Sequence, residues 1–237
     1  MDEFLTVLGQ LSVIVGLGAV GAALSWRNFQ LRWFVGALSL YLVYDFLLTR
    51  FFFALPNFPP ELTWNWGGKF MSLSGMLLIA SLPILGYRKC GLTFSQNEGF
   101  RSALLALLIL SAICFYFAIS GADGPDTWET IAFQWTMPGL DEEVFYRGVL
   151  LLMMNEAFGG RVSVLGAQIG YGGLLTSVLF GLAHGLSYGE GAYAFDTTLF
   201  LITAGPSLLL LWMCERTGSV LMPIIAHNVA NGAFTLF

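Results

Sequence analysis

The chain alternates between long apolar runs and short polar segments. Eight runs approach or exceed the roughly 20 residues needed to cross the hydrocarbon core of a bilayer. They cover residues 4–26, 33–48, 70–87, 102–120, 128–154, 171–187, 195–214 and 219–237. The second run is the shortest, and it also contains Asp45. The pattern predicts an all-α integral membrane protein with about eight transmembrane helices.

The amino-acid composition supports a membrane setting. Hydrophobic residues make up 57% of the chain and charged residues 11%, whereas charged residues are about 25% of an ordinary soluble domain. No linker of biased composition divides the chain, so we expect a single transmembrane domain over residues 1–237. The basic residues form no cluster, which argues against a nucleic-acid partner and leaves the lipid bilayer as the expected surroundings.

The distribution of Lys and Arg between the connecting segments predicts the orientation of the chain. Basic residues collect in cytoplasmic loops. Only Arg50 and Lys69 fall on one side of the predicted membrane. The other side has Arg27, Arg32, Arg88, Lys89, Arg101, Arg161 and Arg216. With eight spans, this distribution places both termini outside the cytoplasm.

The fifth run carries ionisable side chains where the surroundings should be apolar. Glu142, Glu143 and Arg147 lie within it. An ionisable residue inside a membrane is costly and normally marks a functional site. On a helix, Glu143 and Arg147 are four residues apart and share a face, so they can form an ion pair, whereas Glu142 points in another direction. Glu142 is therefore the candidate working carboxylate.

The two histidines of the chain also fall inside apolar runs, each with a characteristic residue one helical turn away. Phe180 precedes His184 by four residues in the sixth run, and Asn231 follows His227 by four residues in the eighth. Residues four apart share a face of a helix. Two histidines, an amide and a spare carboxylate on three runs predict a polar catalytic cavity between helices 5, 6 and 8.

These three motifs resemble those of the CAAX protease and bacteriocin-processing (CPBP, or Abi) family of intramembrane endopeptidases. The signature of that family is E-E-x-x-x-R on one helix, F-x-x-x-H on the next, and H-x-x-x-N two helices later. Residues 142–147, 180–184 and 227–231 match these elements in order. The resemblance covers residues 128–237, which would form the catalytic core, whereas residues 1–120 match only as generic helices.

The resemblance implies hydrolysis of a peptide bond in a lipidated or membrane-associated peptide or protein. Glu142 would be the general base that takes a proton from water, and His184 would orient that water or pass the proton to the leaving amine. His227 and Asn231 would donate hydrogen bonds to the oxyanion. The cavity would open toward the cytoplasm. The site would be supported by Glu143, Arg147, Tyr146 and Phe180.

The residues leave two possibilities for a metal cofactor. The family is commonly called a metalloprotease, and Glu142, His184 and His227 could supply the three protein ligands of a catalytic zinc site. The chain has no H-E-x-x-H motif, and Asn231 beside His227 suits an oxyanion donor better than a zinc ligand. We therefore favour a metal-free mechanism based on glutamate and histidine over one that uses zinc.

Two other classes of function would also use buried polar residues. A non-proteolytic protein of the same fold could bind a membrane peptide as a scaffold or immunity factor, because fold alone does not decide function. A proton-coupled transporter would need buried acids and histidines, but transporters are typically built from internal repeats. No repeat is evident in this sequence, so the transporter is the less favoured of the two.

Overall fold

The protein is mainly helical, as the apolar runs predict. The computed structural model describes residues 1–51, 62–96 and 99–237. Their helices are α1 (Asp2–Leu24), α2 (Leu31–Phe46), α3 (Trp66–Ala80), α4 (Phe100–Ser120), α5 (Trp128–Gln134), α6 (Met137–Glu143), α7 (Leu151–Phe158), α8 (Tyr171–Gly185), α9 (Thr197–Thr217) and α10 (Leu221–Gly232). Shorter helical segments are π-helical after α2 (Leu47–Phe51) and after α6 (Val144–Leu150), and 3-10 after α10 (Ala233–Thr235).

Four helices in the described part of the chain are long and apolar enough to cross a membrane. They are α1, α2 with its π-helical extension, α4 and α9. Helices α3, α8 and α10 have 15, 15 and 12 residues, fewer than the roughly 20 of a full span. The structure therefore supports a helical membrane protein, and the number of about eight transmembrane helices stays a prediction.

The fifth apolar run is not one continuous helix, in contrast to the prediction. It is divided into α5, α6, a π-helical segment and α7. Helix α5 ends at Gln134, and α6 begins at Met137 with Pro138 in its first turn. Proline is favoured at the start of a helix, because the backbone N–H that it lacks would have no partner there. Pro138 thus begins a new helix just before the acidic motif.

Two short β-hairpins connect helices, and the all-α prediction did not include them. The strands are β1 (Arg161–Val164), β2 (Ala167–Gly170), β3 (Leu186–Gly189) and β4 (Ala192–Phe195). Strand β1 pairs antiparallel with β2 between α7 and α8, and β3 pairs with β4 between α8 and α9. Each hairpin turns through two residues with positive φ, Leu165-Gly166 and Glu190-Gly191. Such turns match the twist of paired strands, and both turns lie in the segments between the apolar runs.

Close packing of α8 and α9 brings α9 to the acidic motif. Gly181 and Gly185 of α8 lie against Phe200 of α9, where a side chain on either glycine would overlap the ring or its backbone. Small residues permit this close approach of two helices. The contact places Ser207, further along α9, within hydrogen-bonding distance of Arg147.

The largest core cluster joins the N-terminal helices to the segment that carries the acidic motif. It contains buried side chains from α1, α2, the second π-helical segment and α8, among them Ile14, Phe34, Leu150 and Leu179. Tyr44 of α2 stacks on Phe145 of the π-helical segment, with 3.8 Å between the ring centroids. Helices α1 and α2 are therefore part of the framework of the site, although the sequence motifs lie entirely outside them.

A glycine in α8 allows a test of the helix packing. A Cβ atom at Gly172 would overlap the backbone carbonyl of Met154 in α7, so Gly172→Ala should lower the free energy of unfolding by about 1–3 kcal/mol through overpacking. The control is Gly16→Ala in α1, where nothing lies within 4 Å of the added methyl group. Thermal melts in detergent should show a lower melting temperature for Gly172→Ala only. Equal melting temperatures for the two variants would contradict the close contact of α7 with α8.

Candidate active site

The acidic motif lies where α6 gives way to a π-helical segment. Glu142 and Glu143 end α6, and Tyr146 and Arg147 lie in the segment Val144–Leu150. Turns of π-helix are rare and occur frequently at functional sites. Every residue of this segment is buried. The polar groups of the motif must therefore find partners within the protein.

Glu143 and Arg147 form the ion pair that their spacing predicts. Arg147 Nη1 donates to Glu143 Oε1 over 2.9 Å, and the two side chains are 1% and 0% exposed. Arg147 Nη2 donates to the Ser207 hydroxyl of α9 over 2.6 Å. The guanidinium carbon lies 4.8 Å from the centre of the Phe180 ring of α8. The ion pair thus connects the motif to both α8 and α9.

His227 of α10 joins the ion pair through its Nδ1 atom. Nδ1 lies 2.7 Å from Glu143 Oε1, and because an ionised carboxylate can only accept, Nδ1 carries the proton. The other ring nitrogen, Nε2, lies 3.9 Å from Glu142 Oε2. This distance is too long for a direct hydrogen bond and can be spanned by a bridging water. Glu143 therefore orients the imidazole of His227 toward Glu142.

Glu142 is paired with a lysine that the motifs did not reveal. Lys69 Nζ of α3 donates to Glu142 Oε1 over 2.7 Å and to Asp141 Oδ2 over 3.0 Å. The second carboxylate oxygen of Glu142, Oε2, is buried and has no hydrogen-bond partner among the described residues. The sequence placed Lys69 in a polar segment before the third apolar run, whereas the structure buries it in the first turn of α3.

Asp141, directly before the motif, is fully buried and accepts hydrogen bonds at both oxygens. Oδ2 accepts from the Tyr44 hydroxyl over 2.6 Å in addition to Lys69, and Oδ1 accepts from the Ser72 hydroxyl over 2.6 Å. A third acid beside Glu142 in an apolar run is itself a signal of function, so Asp141 could have been singled out from the sequence. Its partner Lys69 lies 72 residues earlier, and no local pattern links the two.

Phe180 lies between the two histidines. Its ring centroid is 4.7 Å from that of His184 and 5.8 Å from that of His227. Tyr146 packs edge-on against the same ring at 5.0 Å. His184 is exposed, and its Nδ1 donates to the Phe180 carbonyl oxygen over 2.8 Å. The structure therefore gathers both histidines around one aromatic ring, with Nε2 as the remaining polar atom of His184.

Two asparagines of α10 occupy different positions. Asn231 is partly buried, one turn beyond His227. Asn228 is buried, and its Oδ1 accepts a hydrogen bond from the Gly139 amide of α6 over 2.8 Å. Asn228 therefore fixes α10 against the helix that carries the acidic motif, a role that the sequence motifs did not indicate.

A cavity of about 300 Å³ leads to Glu142. Glu142, Tyr146 and His184 line it together with residues of α1 and α2. The sequence predicted a cavity between helices 5, 6 and 8. The structure adds α1 and α2 to its walls, and His227 and Asn231 of α10 are not among the lining residues. The difference arises because α1 and α2 pack against the π-helical segment through the core. No sequence motif indicates this packing.

The cavity lies at the end of the bundle where α1 begins. Its lining includes Glu3 and Thr6 in the first two turns of α1, and Asp45 near the end of α2. The position of the N-terminus and the side of the cavity are therefore linked. The charge distribution places the N-terminus outside, whereas the family resemblance places the cavity toward the cytoplasm, and these two predictions cannot both hold. The orientation stays a prediction.

Comparison with known families bears on the part of the chain that carries the motifs. Residues 124–233 match the model of the Rce1-like family, described as type II CAAX prenyl endopeptidase Rce1-like. This match supports the CAAX protease family for the region that carries the motifs. The matched region begins before α5 and ends just after α10, so it contains all three motifs. No curated protein and no solved structure matches the chain.

The match to the Rce1-like family points to an enzyme and suggests intramembrane endopeptidase activity on a prenylated protein or peptide. The four long apolar helices agree with an integral membrane protein. Three residues that surround Asp141 lie before the matched region: Tyr44, Lys69 and Ser72. Part of the site is therefore supplied by helices outside the family match.

The structure shows the surroundings of the three zinc ligands considered from the sequence, Glu142, His184 and His227. Across residues 1–51, 62–96 and 99–237, no group of three or more His, Cys, Asp or Glu side chains is arranged to hold a metal ion. His227 Nδ1 is bonded to Glu143, and His184 Nδ1 is bonded to a backbone carbonyl. One oxygen of Glu142 is occupied by the Lys69 ammonium group. The metal-free mechanism stays a prediction.

The buried ion pair of Glu143 with Arg147 should stabilise the fold far more than an exposed ion pair does. Arg147→Met leaves Glu143 buried without its arginine, which typically costs about 3–5 kcal/mol. The matched control is Arg161→Met, because Arg161 pairs with Glu215 at 3.0 Å but its side chain is 38% exposed, and such pairs contribute about 1 kcal/mol or less. Unfolding in detergent should show a large loss of stability for Arg147→Met only. Small and equal losses would mean that water reaches the Arg147 pair in the folded protein.

Proposed function

We propose that the protein is an intramembrane endopeptidase that cleaves lipidated or membrane-associated peptides with a water activated by Glu142. The arrangement of this carboxylate carries the proposal. Lys69 holds Oε1 at 2.7 Å, Oε2 lies 3.9 Å from His227 Nε2, and Glu142 lines the cavity. A water between these two atoms would be placed next to a peptide that enters the cavity. Family membership supports the type of reaction.

The first step would transfer a proton from this water to Glu142 Oε2. The water oxygen would attack the carbonyl carbon of the scissile peptide bond, and the carbonyl oxygen would become an oxyanion. A positioned base assists because the water must lose a proton as it attacks. Collapse of the tetrahedral intermediate would break the C–N bond, and the leaving amine would then require a proton.

His184 would pass that proton to the amine. Its Nδ1–H is held by the Phe180 carbonyl, so Nε2 is the nitrogen available in the cavity. A neutral imidazole accepts a proton at this atom and donates it once protonated. His184 Nε2 could therefore take the proton from Glu142 and deliver it to the nitrogen of the departing product.

His227 and Asn231 would donate hydrogen bonds to the oxyanion. The Asn231 side chain is a neutral donor one turn beyond His227 on α10. Because the Nδ1 proton of His227 is bonded to Glu143, Nε2 donates only when the ring carries a second proton. Preorganised donors at this point stabilise the transition state more than the substrate.

Replacement of Glu142 tests the central step. Glu142→Gln keeps the size of the side chain but removes the base, so we expect the rate of cleavage to fall by about 10²–10⁴-fold. The matched control is Glu156→Gln, which changes an exposed glutamate of α7. The measurement is cleavage of fluorogenic prenylated peptides by the purified protein in bilayer discs, with the melting temperature as the check of folding.

Each outcome of this experiment has a distinct meaning. Unchanged cleavage by Glu142→Gln would remove Glu142 from the mechanism. If the wild-type protein binds the prenylated peptide but leaves it uncut, the peptide-binding scaffold replaces the protease. Loss of cleavage in Glu156→Gln as well would show that the assay reports general damage instead of the loss of a base.

We also propose that the reaction needs no metal cofactor. The Lys69 ammonium group supplies a positive charge beside Glu142. We expect cleavage to survive a strong chelator followed by desalting, and elemental analysis of the purified protein to find less than one zinc per chain. Stoichiometric zinc, together with loss of cleavage that added zinc restores, would overturn this part of the mechanism.

A further inference from the structure

We propose that Lys69 is a positioning residue for the catalytic base, held in place by Asp141, and that α3 is therefore part of the catalytic machinery. The inference rests on the proposed function, because it concerns how Glu142 is kept ready to accept a proton. It assigns a role to residues that lie outside the three motifs and, for Lys69, outside the family match at residues 124–233.

Lys69 lies between two adjacent carboxylates. Its ammonium group donates to Glu142 Oε1 over 2.7 Å and to Asp141 Oδ2 over 3.0 Å. Both distances are within hydrogen-bonding range, and hydrogen bonds between charged groups are about twice as strong as neutral ones. Lys69 is only 9% exposed, so little water screens the two contacts. The ammonium group is thus bound to both acids at once.

Asp141 is itself fixed from two sides. The Tyr44 hydroxyl of α2 and the Ser72 hydroxyl of α3 each donate to it over 2.6 Å. Ser72 lies three residues after Lys69, so the two side chains share a face of α3 and approach Asp141 together. Because Asp141 cannot move freely, it sets the position of the Lys69 nitrogen. Asp141 therefore acts on Glu142 through Lys69.

The contact with Lys69 decides which oxygen of Glu142 can work as the base. It occupies Oε1 and leaves Oε2 directed at His227 Nε2, 3.9 Å away. Without Lys69, the Glu142 carboxylate would adjoin a second carboxylate, and like charges disfavour each other's ionised form. Arg147 cannot take over, because it is bonded to Glu143 and Ser207. Lys69 therefore both orients the base and keeps it ionised.

Other titratable and charged groups surround Glu142, but they do not replace this contact. Within the described residues, Lys69 is the only lysine or arginine with a nitrogen within 4.0 Å of the Glu142 carboxylate. The remaining groups come from every packed element: Glu3 of α1, Tyr41, Tyr44 and Asp45 of α2, Asp141 and Glu143 of α6, Tyr146 and Arg147 of the π-helical segment, His184 of α8 and His227 of α10.

The test begins with the pH dependence of cleavage. Lys69→Met removes the positive charge, so Glu142 should stay protonated, and inactive as a base, up to a higher pH. We expect the acid limb of the kcat/KM profile to move upward by about one pH unit or more, with a lower kcat at neutral pH. Lys69→Arg keeps the charge and should restore most of the rate. Arg161→Met, which removes a cation far from Glu142, should leave the profile unchanged.

A double variant distinguishes two possible roles of Lys69: positioning of Glu142 and neutralisation of Asp141. The double variant Lys69→Met/Asp141→Asn removes both charges. No uncompensated charge then remains at position 141, so the double variant should fold even if Lys69→Met does not. If Lys69 only neutralised Asp141, the double variant would regain the wild-type rate and pH profile, and the inference would be overturned. We expect it to remain impaired, because nothing holds Glu142 Oε1.

Infrared spectroscopy gives a readout that does not depend on cleavage. In the full-length protein, the carboxyl band that Glu142→Gln abolishes reports the protonation of Glu142 as the pH is lowered. In Lys69→Met this band should appear at a higher pH than in the wild type. If the band shifts while the wild type cuts no peptide, the proposed function fails but the role of Lys69 stands. An unshifted band in folded Lys69→Met would show that Lys69 serves only the fold.

Discussion

The site depends on the Glu143 carboxylate, which is buried in an apolar helical protein. A buried charge persists only when it is paired and hydrogen-bonded, and Glu143 Oε1 has two partners, Arg147 and His227. Arg147 in turn bonds to Ser207 of α9, and His227 belongs to α10. The need to satisfy this one carboxylate therefore fixes two distant helices around the acidic motif. The same contact sets the orientation of the histidine that faces Glu142.

The consecutive acids Asp141, Glu142 and Glu143 point in different directions from the helix axis. Successive side chains on a helix diverge by about 100°. Asp141 therefore meets α2 and α3, Glu142 meets α3 and the cavity, and Glu143 meets α10. Two cations, Lys69 and Arg147, lie among the three acids. Adjacent carboxylates can coexist here because Lys69 binds both Asp141 and Glu142, and Arg147 binds Glu143.

Short and interrupted elements carry the three motifs, whereas the four longest apolar helices carry none of them. The acidic motif spans the junction of α6 with a π-helical segment, and α8 and α10 are shorter than a full span. Irregular backbone at membrane depth is tolerated where it is buried in protein or lines a cavity. The π-helical segment meets this condition, because all of it is buried and Tyr146 also reaches the cavity.

The sequence alone determined the features that depend on local periodicity. Apolar run length predicted a helical membrane protein, and the four-residue spacing of Glu143 and Arg147 predicted their ion pair, which is confirmed. The three motifs identified the family, which the match over residues 124–233 confirms. Pro138 also carried a local signal for the break in the fifth run, and Asp141 carried one for a buried acid.

Only the tertiary structure decided which distant residues meet. Lys69 is separated from Asp141 by 72 residues, and Tyr44 by 97. The periodicity of a single helix shows which face a side chain occupies, but not which helix packs against that face. Packing between helices places α1 and α2 in the walls of the cavity and pairs Glu142 with Lys69. No local pattern in the chain could therefore predict these two features.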